Sequence, residues 1–383
     1  MDAAGVLEYF REREAAIVDA IGRLVDVESP SHDSGSSRMA ADLVEEMAAG
    51  IGADMTAERI AVKDGEHLII RAFERAGAGR TLMLGHTDTV HPKGSNGANP
   101  TRIENGRFYG CGIFDMKAGV VLMIEALRYF AASGTMPATP ITIVLTCDEE
   151  VGSQTGRPIA EREAKGAVRC FVLEPSAGGC VKTGRKGTGV YRIEAHGSPA
   201  HAGLEPEKGA NAVAALAGLV GEIHALAMPS AGTTVNVTTF SGGTATNVIP
   251  EFAACDIDVR FAAAVEAERV DAAIRSLASP NESVKLNILG GINRPPLERT
   301  PEVAALFAHA RGLAASFGYS LGETSVGGAS DGNFIAAMGI PVLDGLGVAG
   351  NGAHTLDEYI EVADIAKRAT LLTLLLADDG AAE

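Results

Sequence analysis

Residues 141–150 of the chain read ITIVLTCDEE, an apolar run that ends in three consecutive acids. Two further mostly apolar runs, 81–85 and 168–173, are likewise bounded by polar residues. Runs of this length are typical of strands that are buried on both faces of a mostly parallel sheet. Segments with helical periodicity alternate with such runs, and they lie at 7–26, 36–49 and 115–132. The alternation predicts an α/β domain built on a mostly parallel sheet.

The pattern changes after about residue 184. Alternation typical of half-buried antiparallel strands appears at 188–195, 235–240 and 255–261, and helical periodicity appears at 209–227 and 266–279. This β-α-β-β-α-β-like order is typical of a small two-layer α+β domain of the ferredoxin-like kind. Arg294 and the two prolines after it mark its end, and helical periodicity resumes at 301–317, 331–338 and 363–377. We therefore predict one domain from residues 1–185 and 296–383, with residues 186–295 inserted.

The composition limits the classes of function. The chain has 383 residues, 46% of them hydrophobic, and a formal net charge of −17. This charge argues against a nucleic-acid partner, because phosphate binding requires a basic face. No apolar run of about 20 residues predicts a membrane partner, and no basic start with an apolar core predicts a signal peptide. The expected location is therefore the cytoplasm, where the five cysteines, which include no CxxC pair, would stay reduced.

Residues with metal-binding chemistry follow the predicted strands or lie in Gly-rich loops. They are His86 and Asp88 after the first strand, Asp115 at a helix start, Glu149 and Glu150 after the run at 141–146, Glu174 after the next run, and His354 in a late loop. Each signal is weak alone, since Asp115 also fits a helix N-cap and adjacent acids also fit an exposed loop. Together they offer imidazoles and carboxylates without a thiolate. Such a set suits two divalent ions bridged by a carboxylate, with zinc first and cobalt or manganese as alternatives.

Seven stretches carry a family resemblance. They are 85–90 (GHTDTV), 108–119 (FYGCGIFDMKAG), 148–153 (DEEVGS), 200–203 (AHAG), 247–250 (NVIP), 327–332 (GGASDG) and 352–355 (GAHT). Taken in this order, they resemble the M20 metallopeptidase family, and within it the glutamate carboxypeptidases more closely than the desuccinylases and aminoacylases. The matching stretches span most of the chain.

The resemblance implies a role for each candidate residue. His86 and Glu174 would bind one metal ion, Glu150 and His354 the other, and Asp115 would bridge them. Glu149 would be the general base, Asp88 would hold His86, and a cis peptide bond would follow Asp115.

The resemblance also implies how a substrate is selected. Glu174, where other members have Asp, is typical of carboxypeptidase-like or deacylating members. Arg294 matches the Arg that binds the terminal carboxylate of the substrate. Lys182, with Arg185 close by, corresponds to a second basic contact, and the alternative is that both are solvated loop cations. These two cations weakly favour glutamate-like side chains.

Two residues of the inserted segment are candidate donors to a developing oxyanion, His201 and Asn247. His201 could instead be a structural histidine. The resemblance implies that the inserted segment is a lid through which a homodimer forms, with His201 reaching the metal site of the partner chain.

These features predict a di-zinc amide hydrolase of carboxypeptidase type, which releases a C-terminal amino acid from small peptides or N-acyl amino acids. Deacylation or desuccinylation by the same residues is the alternative reaction. A catalytically inactive binding protein of the same fold is the alternative from another class. The intact Glu149 and five intact ligands argue against it.

Overall fold

The computed structural model describes residues 1–52, 55–75 and 79–378. The chain divides into two compact units. The first unit consists of Met1–Thr183, Arg299–Val326 and Ser330–Glu383, and the second unit consists of Gly184–Glu298 and Gly327–Ala329. Their assignment to a catalytic and an inserted lid domain stays a prediction.

The helices of the described residues are α1 (Ala3–Glu12), α2 (Glu14–Asp26), α3 (Ser34–Ala49), α4 (Ala118–Ser133), α5 (Gly156–Ala164), α6 (Ala212–Ala225), α7 (Ala264–Arg275), α8 (Pro301–Ser316), α9 (Gly332–Ala337) and α10 (Val362–Ala377). The strands are β1 (Thr56–Val62), β2 (Gly65–Ala72), β3 (Arg80–His86), β4 (Arg102–Glu104), β5 (Arg107–Tyr109), β6 (Ile141–Thr146), β7 (Ala167–Val172), β8 (Val181–Arg185), β9 (Gly187–His196), β10 (Ala200–His201), β11 (Thr234–Gly242), β12 (Val248–Ile249), β13 (Phe252–Phe261), β14 (Lys285–Arg294), β15 (Glu323–Val326), β16 (Val342–Leu343), β17 (Gly350–Asn351) and β18 (Tyr359–Glu361).

The main sheet of the first unit has the strand order β1-β2-β6-β3-β7-β16. The neighbours β6, β3, β7 and β16 run parallel, whereas β1 and β2 pair antiparallel at one edge. Strand β6 is buried along its whole length, and α4 is buried over most of its length. A strand that is covered on both faces needs apolar side chains at every position, which explains the continuous apolar runs. The predicted α/β fold with a parallel-rich sheet is confirmed.

Two predicted helices have different bounds from those expected. The segment 7–26 forms two helices, α1 and α2, that are divided at Arg13. The Arg13 guanidinium donates to both carboxylate oxygens of Glu125, at 2.9 and 3.1 Å. Helix α4 begins at Ala118, so the alternative that Asp115 is its N-cap is wrong. Asp115 lies in the preceding turn with extended angles, φ −116° and ψ 92°.

The second unit contains an antiparallel sheet with the strand order β11-β13-β9-β14. Along the chain its main elements follow as β9, α6, β11, β13, α7 and β14. Apolar side chains of the two helices and the sheet form one core, which includes Ile193, Leu216, Ile257 and Ile274. Alternate residues are buried along most of β9 and β13. This period of two matches the alternation of apolar and polar residues from which the sequence predicted half-buried strands.

No helix within the described ranges combines the length and the apolar character needed to cross a bilayer.

Candidate active site

Three neighbouring parallel strands bring candidate ligands to one edge of the main sheet. His86 is the last residue of β3, Glu149 and Glu150 lie in a short turn after β6, and Glu174 follows β7. The carboxyl ends of parallel strands meet at the same edge of a sheet, where α/β proteins place their ligands. His86, Glu149 and Glu174 are buried there.

The five predicted metal ligands lie together, and we call them the ligand cluster. His86 Nε2 lies 3.2 Å from Asp115 Oδ1 and 3.4 Å from Glu174 Oε1. His354 Nε2 lies 3.4 Å from Asp115 Oδ2 and 3.3 Å from Glu150 Oε2. Each Asp115 oxygen therefore faces one imidazole that is also paired with a second carboxylate. The peptide bond between Asp115 and Met116 is cis, as the resemblance implied.

The chemistry of the ligand cluster fits two divalent cations. His86 Nδ1 lies 2.9 Å from the backbone oxygen of Asp88. A carbonyl oxygen can only accept, so Nδ1 carries a hydrogen, and Nε2 is the nitrogen that faces the carboxylates. Burial lowers the pKa of His86, but the neighbouring carboxylates, with Asp115 foremost, raise it well above its ordinary value. Hydrogen bonds to Asp115 and Glu150 raise the pKa of His354 to about 10. This local excess of negative charge is what divalent ions would neutralise, with release of protons.

Asp88 connects two of the ligand-bearing segments. Its carboxylate accepts the backbone N–H groups of Glu149 and Glu150, both at 3.2 Å, and the hydroxyl of Ser31 at 2.8 Å. Its nearest carboxylate oxygen lies 3.5 Å from His86 Nδ1, farther than its own backbone oxygen. The carboxylate thus holds the turn after β6 more closely than it holds the His86 ring.

Glu149 lies beside the ligand cluster. One oxygen of its carboxylate lies with the donor atoms of His86 and Glu174 in a group whose atoms are all within 4.8 Å of one another. A group at this place can take a proton from a water that attacks a nearby carbonyl, and it can also reach a metal ion.

Two further carboxylates fix the turn that carries Glu149 and Glu150. Asp148 accepts from the backbone and the hydroxyl of Thr155, both at 2.7 Å. Asp331 accepts from Thr146 at 3.0 Å and from the hydroxyl of Ser153. Neither acid was assigned a role from the sequence, although Asp331 belongs to the GGASDG stretch and Asp148 adjoins the acidic pair.

Glu358 is a third acid whose role was not predicted from the sequence. It is fully buried, and its carboxylate accepts the backbone N–H groups of Gly112, Phe114 and Asp115. Its position four residues after His354 is the one signal in the sequence that could have drawn attention to it.

The two predicted cations of β8 are buried. Lys182 belongs to the first unit, and its backbone pairs with that of Asp344. Arg185 belongs to the second unit and donates to the backbone oxygens of Gly328 and Ala329, at 3.3 and 3.1 Å. The alternative that these are solvated loop cations is therefore wrong.

The remaining predicted residues lie in the second unit. His201 is opposite Val248 in the short ribbon of β10 and β12, and the backbone oxygen of Asn247 accepts from Ala202 N at 2.9 Å. The ribbon therefore brings His201 and Asn247 close together, and both residues are exposed. His201 Nδ1 accepts from the backbone of the following turn, so its Nε2 is the nitrogen that remains to donate. Arg294 is buried at the end of β14.

Comparison with known proteins shows the family and the fold. The model of peptidase family M20/M25/M40 matches residues 82–378. Carboxypeptidase G2 of Pseudomonas sp. (strain RS-16) is 28% identical, with 97% of this chain and 91% of that protein aligned. A succinyl-diaminopimelate desuccinylase of Cereibacter sphaeroides is 30% identical, with 88% and 93% aligned. The crystal structure of aminopeptidase PepT from Bacillus cereus ATCC 10987 has a TM-score of 0.74 at 22% identity, covering 95% of this chain and 98% of that one, and shows the fold.

Fold and site together define a metal-dependent amide hydrolase. The chain belongs to peptidase family M20/M25/M40, whose metallopeptidases use divalent metal ions.

Proposed function

We propose that this chain is a carboxypeptidase-type hydrolase, which releases a C-terminal amino acid from small peptides or N-acyl amino acids. The observation that carries the proposal is the ligand cluster, in which each oxygen of Asp115 faces one imidazole–carboxylate pair. The similarity to a carboxypeptidase over nearly the whole chain supports this reaction. Glutamate is the side chain that we expect to be preferred, because of Lys182 and Arg185.

The metal ions would be held by the ligand cluster, with zinc preferred over cobalt or manganese. When bound, such ions polarise a substrate carbonyl and lower the pKa of a water molecule. Glu149 takes the proton of that water as the water attacks, and returns the proton to the leaving amine. Asp88 keeps the turn of Glu149 and Glu150 in place through their backbone N–H groups.

The second unit supplies the substrate contacts in this proposal. Arg294 binds the α-carboxylate, and His201 and Asn247 donate to the developing oxyanion. The strand order of this unit suits a ferredoxin-like lid. We propose that residues 186–295 form this lid, that two chains pair through it, and that His201 acts at the metal site of the partner chain. The proposed location is the cytoplasm.

Deacylation of N-acyl amino acids, including desuccinylation, is the second candidate function. The similarity to desuccinylases, at 30% identity, favours it specifically. The same residues would perform the chemistry, because both reactions cleave an amide next to a free carboxylate. The two functions differ in which part of the substrate is recognised most strongly.

A substrate screen with metal-reconstituted protein tests the proposal. Dipeptides, N-acyl glutamates and N-succinyl amino acids are compared with their α-carboxamides, and released amine is measured. We expect the fastest release from substrates with a free α-carboxylate and a C-terminal glutamate. Preference for the succinyl group regardless of the amino acid would replace carboxypeptidase by desuccinylase. A protein that binds two ions and cleaves none of these substrates would contradict both.

A further inference from the structure

The buried carboxylate of Glu358 is fully used by four hydrogen-bond donors. Oε1 accepts from the backbone N–H groups of Phe114 at 2.8 Å and Asp115 at 2.9 Å. Oε2 accepts from Gly112 N at 2.9 Å and lies 2.7 Å from His91 Nε2. A buried carboxylate costs several kcal/mol unless it is paired or hydrogen-bonded. Such a complete set of donors identifies Glu358 as part of a preorganised arrangement.

The three backbone donors belong to the turn that presents Asp115. Gly112 has φ +71°, in the left-handed region, so the turn can direct its N–H groups inward at this point. Asp115 itself donates, so Glu358 restrains the peptide from which the Asp115 side chain projects. The two oxygens of that side chain are the ones that face His86 and His354. Movement of the turn would therefore change both halves of the ligand cluster together.

Glu358 also ends the loop that carries His354. Residues 352–358 connect β17 to β18, and the pairing of Asn351 with Tyr359 closes this loop at its base. Strand β18 continues by pairing with β5, which leads into the Asp115 turn. The Glu358 carboxylate thus joins the loop that carries His354 to the turn that carries Asp115.

We propose that Glu358 is a positioning residue for the metal pair. It holds Asp115 in the orientation in which one oxygen faces His86 and the other faces His354, and it couples that orientation to the His354 loop. His91 supports Glu358 through the contact of its Nε2 with Oε2. The inference rests on the proposed di-metal function and deepens it, because none of the family-derived roles includes Glu358 or His91.

The test compares Glu358→Gln with Glu361→Gln. Glutamine at 358 would place an NH₂ group against at least one backbone N–H donor, so at least one of these backbone hydrogen bonds would be lost. Glu361 is the matched control, since it is an acid of the same hairpin that is only half-buried and is paired with Arg107. Zinc affinity is measured against a competing chelator, the visible spectrum is recorded at saturating cobalt, and the metal-free protein is melted.

We expect Glu358→Gln to weaken metal binding by about 10–100-fold and to alter the cobalt spectrum. Glu361→Gln should match the wild type in both. A folded Glu358→Gln protein with wild-type affinity and spectrum would overturn the inference, even if its metal-free form melted earlier, because Glu358 would then be a stabilising residue alone. Equal losses in both variants would also overturn it.

His91→Ala keeps the inference testable if Glu358→Gln does not fold. This variant leaves the carboxylate and its three backbone donors in place, so we expect a loss of about tenfold in metal affinity. Unchanged affinity would then reject the proposed arrangement. The number of metal ions bound by the wild-type protein tests the proposed di-metal function itself. If it binds fewer than two ions per chain, the di-metal function fails. Two ions in the wild type, together with wild-type affinity and cobalt spectrum in Glu358→Gln, would reject the positioning role alone.

Discussion

The strand ends of the first unit and the β10–β12 ribbon of the second unit present their predicted functional residues in opposite ways. In the first unit the residues at the strand ends are buried and tied to one another, as Asp88 is to the turn of Glu149 and Glu150. In the second unit His201 and Asn247 are exposed on a two-strand ribbon. Carboxylates that share a metal site repel one another, so the fold must hold them in place before a metal ion binds. Groups that meet a substrate must instead remain accessible.

The largest effect is expected at Glu149, in the buried region. Glu149→Gln should lower kcat by at least about 10²-fold while both metal ions stay bound, because a proton acceptor is removed and the ligands remain. Metal content and kcat are measured on the same samples, with Glu150→Gln as the variant expected to lose metal. Loss of metal from Glu149→Gln, with activity per bound metal preserved, would show that the roles of the two acids are reversed.

Complementation between two inactive variants tests whether His201, in the exposed ribbon, acts at the site of a partner chain. Glu149→Ala and His201→Ala proteins, each inactive, are mixed after reversible dissociation. If His201 acts across a two-fold dimer, each mixed dimer regains one complete site, and random pairing restores about a quarter of wild-type activity. Mixed dimers that are verified by mass and remain inactive would show that His201 acts within its own chain or not at all.

Arg294 combines features of the two regions. It is buried, like the residues at the strand ends, but it has a proposed substrate contact, like the residues of the ribbon. Wild-type protein should prefer an acid substrate to its carboxamide, and Arg294→Ala should lose about 10–100-fold of that preference, the scale of a hydrogen bond to a charged group. The ratio of kcat/KM for the two substrates measures it. The same ratio in both proteins would remove Arg294 from the site.

The smallest effect is expected at Lys182. Lys182→Met keeps much of the buried alkyl volume and removes the charge, so preference for C-terminal glutamate over glutamine should fall by roughly fivefold, or about 1 kcal/mol. Lys93→Met, at an exposed lysine paired with Asp33, is the control. A preference for large apolar side chains in the wild type would contradict the role given to Lys182 and Arg185.

The strongly periodic elements were predicted from sequence, and the irregular ones were not. Strand β6 coincides with the apolar run at 141–146, because every position of a doubly covered strand must be apolar. The division between α1 and α2 was missed, since helical periodicity continues through Arg13 and its partner Glu125 lies 112 residues away. Short strands such as β4 and β17 were missed because two or three residues show no period.

Sequence alone was enough to name the chemical types at the strand ends, because acids and histidines recur together after the apolar runs and in the Gly-rich loops, although each one alone has other uses. It did not show that each oxygen of Asp115 faces a different imidazole, nor that Asp88 holds its neighbours' backbone more closely than the His86 ring. Glu358 makes the same point, since its hydrogen bond to Asp115 joins residues 243 positions apart. Such contacts depend on how β18 packs beside the Asp115 turn, and local residue patterns carry no record of that packing.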